Sequence, residues 1–466
     1  MIVKVYTRKT SKNDYPAGLA NSVHFALVDE KDESRVTLLN NDYGILFAEG
    51  EISDDNTIIP MGVADPKIIR PDDGGYTVFA KRIYEDGSDV TEDNGKVWCW
   101  KTEDLMHFET IGLVDIDEFK KYAPEDQIVT DASFSPDRII EYWNPSTPDD
   151  VKIPKYKFPL LKGYGDPIIF SWEGKRYFVS TYDNLHDVGI YVREADSVAG
   201  LFEEGTKEHL ILPYDPSRNL IQTFWAPEFH VIGGELYILF AVSGKEWGPQ
   251  CHLLKFKKGG SITDPDSWED PIRVVRRDGT PLAKEGAITL DMTYFKTKTG
   301  SYVVWSYREF MGTPHDTGSM LYIATIDEEK PWQLTSEPVL MSRPLYGWEN
   351  VEGTINNEGG YAFFKDGEIF MTYSGGAANS YTYAVGLFRA GLDADLLDMS
   401  SWKKNITPVL SFYSVDEFGP GHNSFFEDEE GRLMIAYHGE MSMDSTLRCD
   451  AIRQVFFKED GTPYFK

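Results

Sequence analysis

Apolar and polar positions alternate along most of this chain in short runs of four to eight residues. Glycine-containing turns separate the runs, and no long stretch of helical period competes. Five segments repeat one plan: a polar residue, a short apolar strand, a turn with glycine, then a second strand rich in aromatics. They begin at Asp166-Pro167-Ile168, Glu228-Phe229-His230, Asp291-Met292-Thr293, Glu358-Gly359-Gly360 and His422-Asn423-Ser424. Their turn glycines, Gly174, Gly234, Gly300, Gly367 and Gly431, stand 60, 66, 67 and 64 residues apart. Each step is long enough for about four strands with their loops, the size of one propeller blade. The pattern predicts an all-β chain: a five-bladed β-propeller over 155–466, preceded by an accessory β-rich domain over 1–150. A β-sandwich would not predict so regular a step. The N-terminal part holds one further copy of the pattern at Ala64-Asp65-Pro66-Lys67, which makes it a candidate blade-like unit. The stretch Pro145-Ser146-Thr147-Pro148-Asp149-Asp150 reads as the boundary.

Innermost propeller strands run side by side around the axis, so equivalent strand ends converge on one mouth. Asp166, Glu228, Asp291, Glu358 and His422 open the five first strands, and the repeat predicts four carboxylates and a histidine around one funnel. Singly, each acid has a bland reading as a turn or cap residue. Five at corresponding repeat positions argue for a site. Most glycosidases use two carboxyl groups, one to protonate the leaving oxygen and one to activate water or attack the sugar. The proton donor must keep its proton near neutral pH, which a neighbouring carboxylate promotes by like-charge repulsion.

Composition narrows the partners more than the chemistry. Net charge is −30, a field that repels polyphosphates and anionic membranes, so neither nucleic acid nor membrane is expected as a partner. An acidic coat also serves solubility alone, and a neutral oligosaccharide substrate fits both readings. Aromatics make up 14% of the chain, in keeping with short strands. Cys99, Cys251 and Cys449 are odd in number and widely spaced, which indicates neither a disulfide framework nor a zinc site. With no apolar leader in the first ten residues and no run of about 18 apolar residues, a cytoplasmic protein is expected.

Four motifs in order, Thr223-Phe224-Trp225-Ala226-Pro227-Glu228, Leu290-Asp291-Met292-Thr293, Asn357-Glu358-Gly359 and Gly419-Pro420-Gly421-His422-Asn423, resemble those of family 43 glycoside hydrolases. The likeness runs over about 160–466, includes Tyr383-Ala384-Val385-Gly386-Leu387 and Asp460-Gly461-Thr462-Pro463, and is greatest to exo-acting α-L-arabinofuranosidases. The resemblance implies a five-bladed propeller and an inverting mechanism. Carried over by position, it makes Asp166 the general base, Glu358 the general acid and Asp291 the group that orients Glu358 and raises its pKa. Two look-alikes compete. Asp65-Pro66 resembles Asp166-Pro167 but lies too far before Trp225 for one blade, and Glu352-Gly353 is read as loop. The family usually has proline after Glu-Gly, where this chain has Gly360.

Phe224, Trp225 and Trp348 are candidate sugar platforms, with propeller core as the competing reading. Glu228 is read as structural. His422 is a candidate substrate or axial-ion residue, or a satisfied core histidine. Arg448 and Arg453 are candidates for binding hydroxyls, with a structural ion pair favoured. No cofactor is required; a structural calcium or sodium near the axis is the candidate ion, and His422 its one candidate ligand. The resemblance puts an exo-α-L-arabinofuranosidase first, with a β-xylosidase or an endo-arabinanase of the same family as the alternative. From other classes, a non-catalytic carbohydrate-binding propeller would lack one of the three carboxylates, and a phosphorylase would put a cationic site in place of Asp166.

Overall fold

The computed structural model describes all residues except 13, 73, 123, 131–133, 149, 150 and 155. The end of the boundary stretch, at Asp149 and Asp150, and the start of the second domain, at Lys155, therefore lie outside the described residues. The chain forms two compact units. The first comprises Met1–Val151 with two later returns, Leu345–Thr354 and Lys458–Tyr464; the second comprises Lys152–Pro344, Ile355–Phe457 and Phe465–Lys466.

The first unit holds two four-stranded sheets. One has the order Gln127–Val129, Ile2–Tyr6, His24–Asp29, Asp32–Leu38, and the other is an up-and-down run of Met61–Ile69, Tyr76–Tyr84, Lys96–Thr102 and Glu109–Asp115. Ile69, Phe79, Val97, Cys99 and Phe119 pack on the latter, with the Phe79 and Phe119 rings stacked 4.4 Å apart. A short helix, Pro136–Trp143, starts with proline in its first turn, where the missing N–H costs nothing.

The second unit is built from five antiparallel sheets, called I to V here, each strand pairing with the next in sequence. Their first strands are Gly165–Trp172, Gln222–Ile232, Ile288–Lys296, Asn357–Lys365 and Phe418–Glu427. Each of these neighbours the first strand of the sheets before and after it, and the fifth returns to the first, so the five form a closed ring. The hairpins of sheets I, II and IV turn in two residues at Glu173-Gly174, Gly233-Gly234 and Asp366-Gly367, all at positive φ. That is the backbone a tight antiparallel hairpin requires, and it accounts for Gly174, Gly234 and Gly367 of the repeat. Adjacent sheets share apolar layers. Ile168, Val179 and Val192 of sheet I pack with Phe229, Ile238 and Phe240 of sheet II, and Phe363, Phe370 and Leu387 of sheet IV with Phe425, Ile435 and Tyr437 of sheet V. The two inward faces of each layer are apolar, and the polar ring at the strand ends is left to do chemistry.

Candidate active site

All five first strands break register with their second strands at the same place. Pairing slips between Gly165 and Ile168, Trp225 and Glu228, Leu290 and Thr293, Glu358 and Tyr361, and Gly421 and Ser424. One extra residue is accommodated at each slip, and the residue that absorbs it takes a left-handed backbone. Those residues are Asp166 (φ 59°), Ala226 (44°), Asp291 (54°), Gly359 (59°) and His422 (43°). The bulge re-aims the side chain at the strand end, and a non-glycine residue holds such a conformation only where its surroundings enforce it. This register amends the expected equivalence. Asp166, Asp291 and His422 do correspond, but Glu358 comes one residue before the bulge position of its sheet and Glu228 two after.

Asp166 is buried, and both carboxylate oxygens and the backbone N–H are engaged. Oδ2 accepts the Thr181 hydroxyl at 2.6 Å, and Oδ1 accepts Nη1 of Arg448 at 2.9 Å and lies 3.0 Å from Nδ1 of His422. Its backbone N–H donates to Nδ1 of His438 at 3.2 Å, while Nε2 of His438 lies 3.0 Å from the Ala378 carbonyl. Burial alone would raise the Asp166 pKa; the Arg448 guanidinium and the two histidines outweigh it and hold the carboxyl well below its usual range. Thr181 also accepts the Ala226 N–H at 2.8 Å, tying the bulge of sheet II to the Asp166 carboxylate.

Glu358 is buried in different company. Oε1 accepts the Tyr383 hydroxyl at 2.9 Å, and no cation pairs directly with the carboxyl among the described residues. Burial, aided by the negative charge of Asp166, pushes its pKa up to about 7 against the Tyr383 hydrogen bond. Asp291 accepts the Gly359 N–H at 3.2 Å and the Ser306 hydroxyl at 3.3 Å through Oδ2. Its pKa is also raised, by burial and by repulsion from Glu358 and Asp166. Three carboxyl groups thus interact in one buried cluster. One is held as an anion, and the other two compete for charge.

The remaining sequence candidates divide. Trp225 is half-buried, and its Nε1 donates to Oδ2 of Asp187 at 2.9 Å. Phe224 is fully buried in the apolar layer between sheets I and II. Trp348 is fully buried in the Leu345–Thr354 return of the first unit. Glu228 is buried with an oxygen 2.7 Å from Nε2 of His230. Arg448 spans Asp166 and Asp183, and Arg453 pairs with Glu417 and the Tyr437 hydroxyl. The look-alikes lie elsewhere. Asp65 sits at a matching bulge (φ 51°), but in the first unit and exposed; Glu352 is exposed in the Leu345–Thr354 return.

His422 Nε2 is buried with no hydrogen-bond partner, but among the described residues no three His, Cys, Asp or Glu side chains converge as a metal-ligand set. The residues present therefore do not fit a protein-built metal site, and no step is assigned to one.

Several members of the cluster carried no signal in the repeat: Thr181, Asp183, Asp187, Ser306, Tyr383 and His438. All lie at the ends of second strands or in the loops that follow, where the repeat is least regular. Tyr383 stood inside a quoted motif; its role emerges only from its contact with Glu358.

A sequence profile described as "Glycosyl hydrolases family 43" matches residues 156–463. The chain is 33% identical over 293 residues to the extracellular exo-α-(1→5)-L-arabinofuranosidase of Streptomyces chartreusis, covering 61% of this chain and 82% of that one. It is 30% identical over 322 residues to the enzyme of the same description from Streptomyces avermitilis, covering 66% of this chain and 62% of that one. The crystal structure of an α-L-arabinofuranosidase from Lactobacillus brevis superposes with a TM-score of 0.58 at 30% identity, over 67% of this chain and 96% of that one. Two of these relatives are extracellular, which corrects the expectation of a cytoplasmic protein. Cys99, Cys251 and Cys449 are buried free thiols, a packing compatible with either compartment.

Proposed function

Because the chain belongs to glycosyl hydrolase family 43, we propose that it is an inverting exo-α-L-arabinofuranosidase whose second unit is a five-bladed β-propeller. It releases arabinose from arabino-oligosaccharides or arabinoxylan fragments. Five sheets whose first strands close in a ring support the propeller reading.

The observation that carries the mechanism is the opposed protonation of two carboxyls in one cluster. Asp166, held ionised by Arg448 and His422, is the general base and takes a proton from the hydrolytic water. Glu358, whose pKa is raised to about 7, keeps its proton for the leaving oxygen and is the general acid. Asp291 holds the backbone of Gly359 and so orients Glu358, and the repulsion between the two carboxyls when both are charged raises the pKa of Asp291. The water attacks on the face opposite the leaving group, so the released sugar has the inverted anomeric configuration. Trp225, fixed by Asp187, offers its ring to the sugar at the mouth.

Asp166→Ala and Glu358→Ala should each lower turnover of p-nitrophenyl α-L-arabinofuranoside by about 100-fold or more while the protein stays folded. Following the product anomer by NMR tests inversion, and retained configuration would overturn it. Faster turnover of the β-D-xyloside would favour the β-xylosidase reading.

A further inference from the structure

Phe310 and Met311, in the loop that follows the second strand of sheet III, are 54% and 57% exposed. Phe310 is also held at φ 57°, a left-handed backbone that a bulky aromatic residue rarely adopts. The loop around it is built to keep it there. Asp316 accepts both Nε and Nη2 of Arg308, at 2.8 and 2.7 Å, together with the N–H groups of Gly312 and Gly318 at 2.8 and 3.0 Å. The Phe310 carbonyl accepts the N–H of Thr313 at 3.0 Å and its hydroxyl at 2.8 Å. Strain maintained by a dedicated cage, presenting an exposed aromatic ring, is the mark of a site and not of a spare loop.

Both ends of the loop are stitched to the residues that precede Glu358. Arg308 Nη1 donates to the Asn356 side chain at 3.0 Å. Beyond the loop, the Ser319 N–H donates to the Ile355 carbonyl and the Asn357 N–H to the Ser319 carbonyl, both at 2.9 Å. The loop therefore rises beside the strand end that carries Glu358. A general acid protonates the leaving oxygen, so the leaving group must depart on the acid's side of the cleavage point. An exo-acting pocket takes one terminal sugar and leaves the rest of the chain outside, in the region where this loop stands.

We propose that Phe310, with Met311, is the platform that receives the leaving-group sugar, stacking on its apolar C–H face and so selecting for a saccharide aglycone. The inference rests on the reading of Glu358 as general acid. On this reading Phe310 acts on the aglycone alone.

The test compares an α-linked arabinofuranosyl disaccharide with methyl α-L-arabinofuranoside, which needs the same acid but has no second ring. Phe310→Ala should lower kcat/KM on the disaccharide by about tenfold, the scale of one aromatic stacking contact with its buried area. It should leave the methyl glycoside within about twofold and inhibition by free arabinose unchanged, as expected for a group that acts only outside the pocket. Phe310→Tyr, which keeps the ring, should restore the disaccharide rate. Equal loss on both substrates, or no loss on either, would overturn the platform while the wild-type rates still support the arabinofuranosidase reading. A wild-type enzyme that cleaves neither substrate overturns both.

Discussion

The guanidinium of Arg448 reaches Oδ1 of Asp166 at 2.9 Å while its other nitrogens hold Asp183, so one buried cation serves two carboxylates from neighbouring parts of sheet I. The geometry ties the state of the base to a residue that was a candidate sugar ligand in the sequence.

Replacing Arg448 by methionine removes the charge that keeps Asp166 ionised. A base must be deprotonated to work, and activity is lost as pH falls through its pKa. Asp166 sits well below the usual carboxylate range, so the acid limb of kcat/KM should move to higher pH in Arg448→Met. The buried Asp166 and the half-buried Asp183 lose their partner together, and the variant should be destabilised by about 3 kcal/mol in denaturant melts. An acid limb that does not move would mean that Asp166 is not the base.

Tyr383→Phe acts on the other limb. The Tyr383 hydroxyl donates to Glu358 and favours its ionised form, against burial that raises its pKa to about 7. A general acid must be protonated, and activity falls as pH rises through its pKa. Without the hydroxyl the pKa rises further, so the alkaline limb should shift up by roughly half to one pH unit. A shift in the opposite direction would show that Tyr383 supports the protonated form.

What the sequence could reveal follows from which constraints are local. A two-residue hairpin needs left-handed backbone, so Gly174, Gly234 and Gly367 marked the repeat plainly. The bulge in each first strand is a relation between two strands, and nothing in the residues of one strand states it. Hence Asp166, Asp291 and His422 were aligned correctly while Glu228 and Glu358 were out of step. Glu358 still emerged, because its motif is contiguous and its look-alike Glu352 lies in a loop. Trp348 belongs to the first unit for a different reason: the Leu345–Thr354 segment leaves the second unit and returns to the first, and no change of composition marks that crossing. Tyr383, His438 and Thr181 were silent because their part in the site depends on partners 15 to 272 residues away in sequence.

Glu358→Gln should be more stable than the wild type in alkaline solution, although it is inactive. The carboxyl has a folded pKa of about 7 against an unfolded value near 4.5, so the folded state binds the extra proton between these values. Stability therefore falls as pH rises through that window, and above it the buried charge costs on the order of 1–3 kcal/mol. Glutamine carries no such charge. The difference in melting temperature between variant and wild type should be small at pH 4 and widen by pH 8. A constant difference across that range would mean that Glu358 titrates alike in both states.

Gly165→Ala tests the Arg448–Asp166 pair without touching either charge. A Cβ at Gly165 would come within 2.1 Å of Cζ of Arg448, and Gly165 has no positive φ, so alanine suits its backbone and the effect is steric alone. The guanidinium cannot simply swing aside, because Asp183 holds it from the other direction. Either Arg448 withdraws from Asp166, or the strand end that carries Asp166 moves. The first outcome is expected: the acid limb of kcat/KM moves up as in Arg448→Met, but with a smaller loss of stability, since Arg448 keeps Asp183. If the strand end moves instead, kcat falls at every pH and the limb stays where it is, and Asp166 then owes its ionisation chiefly to His422 and Thr181.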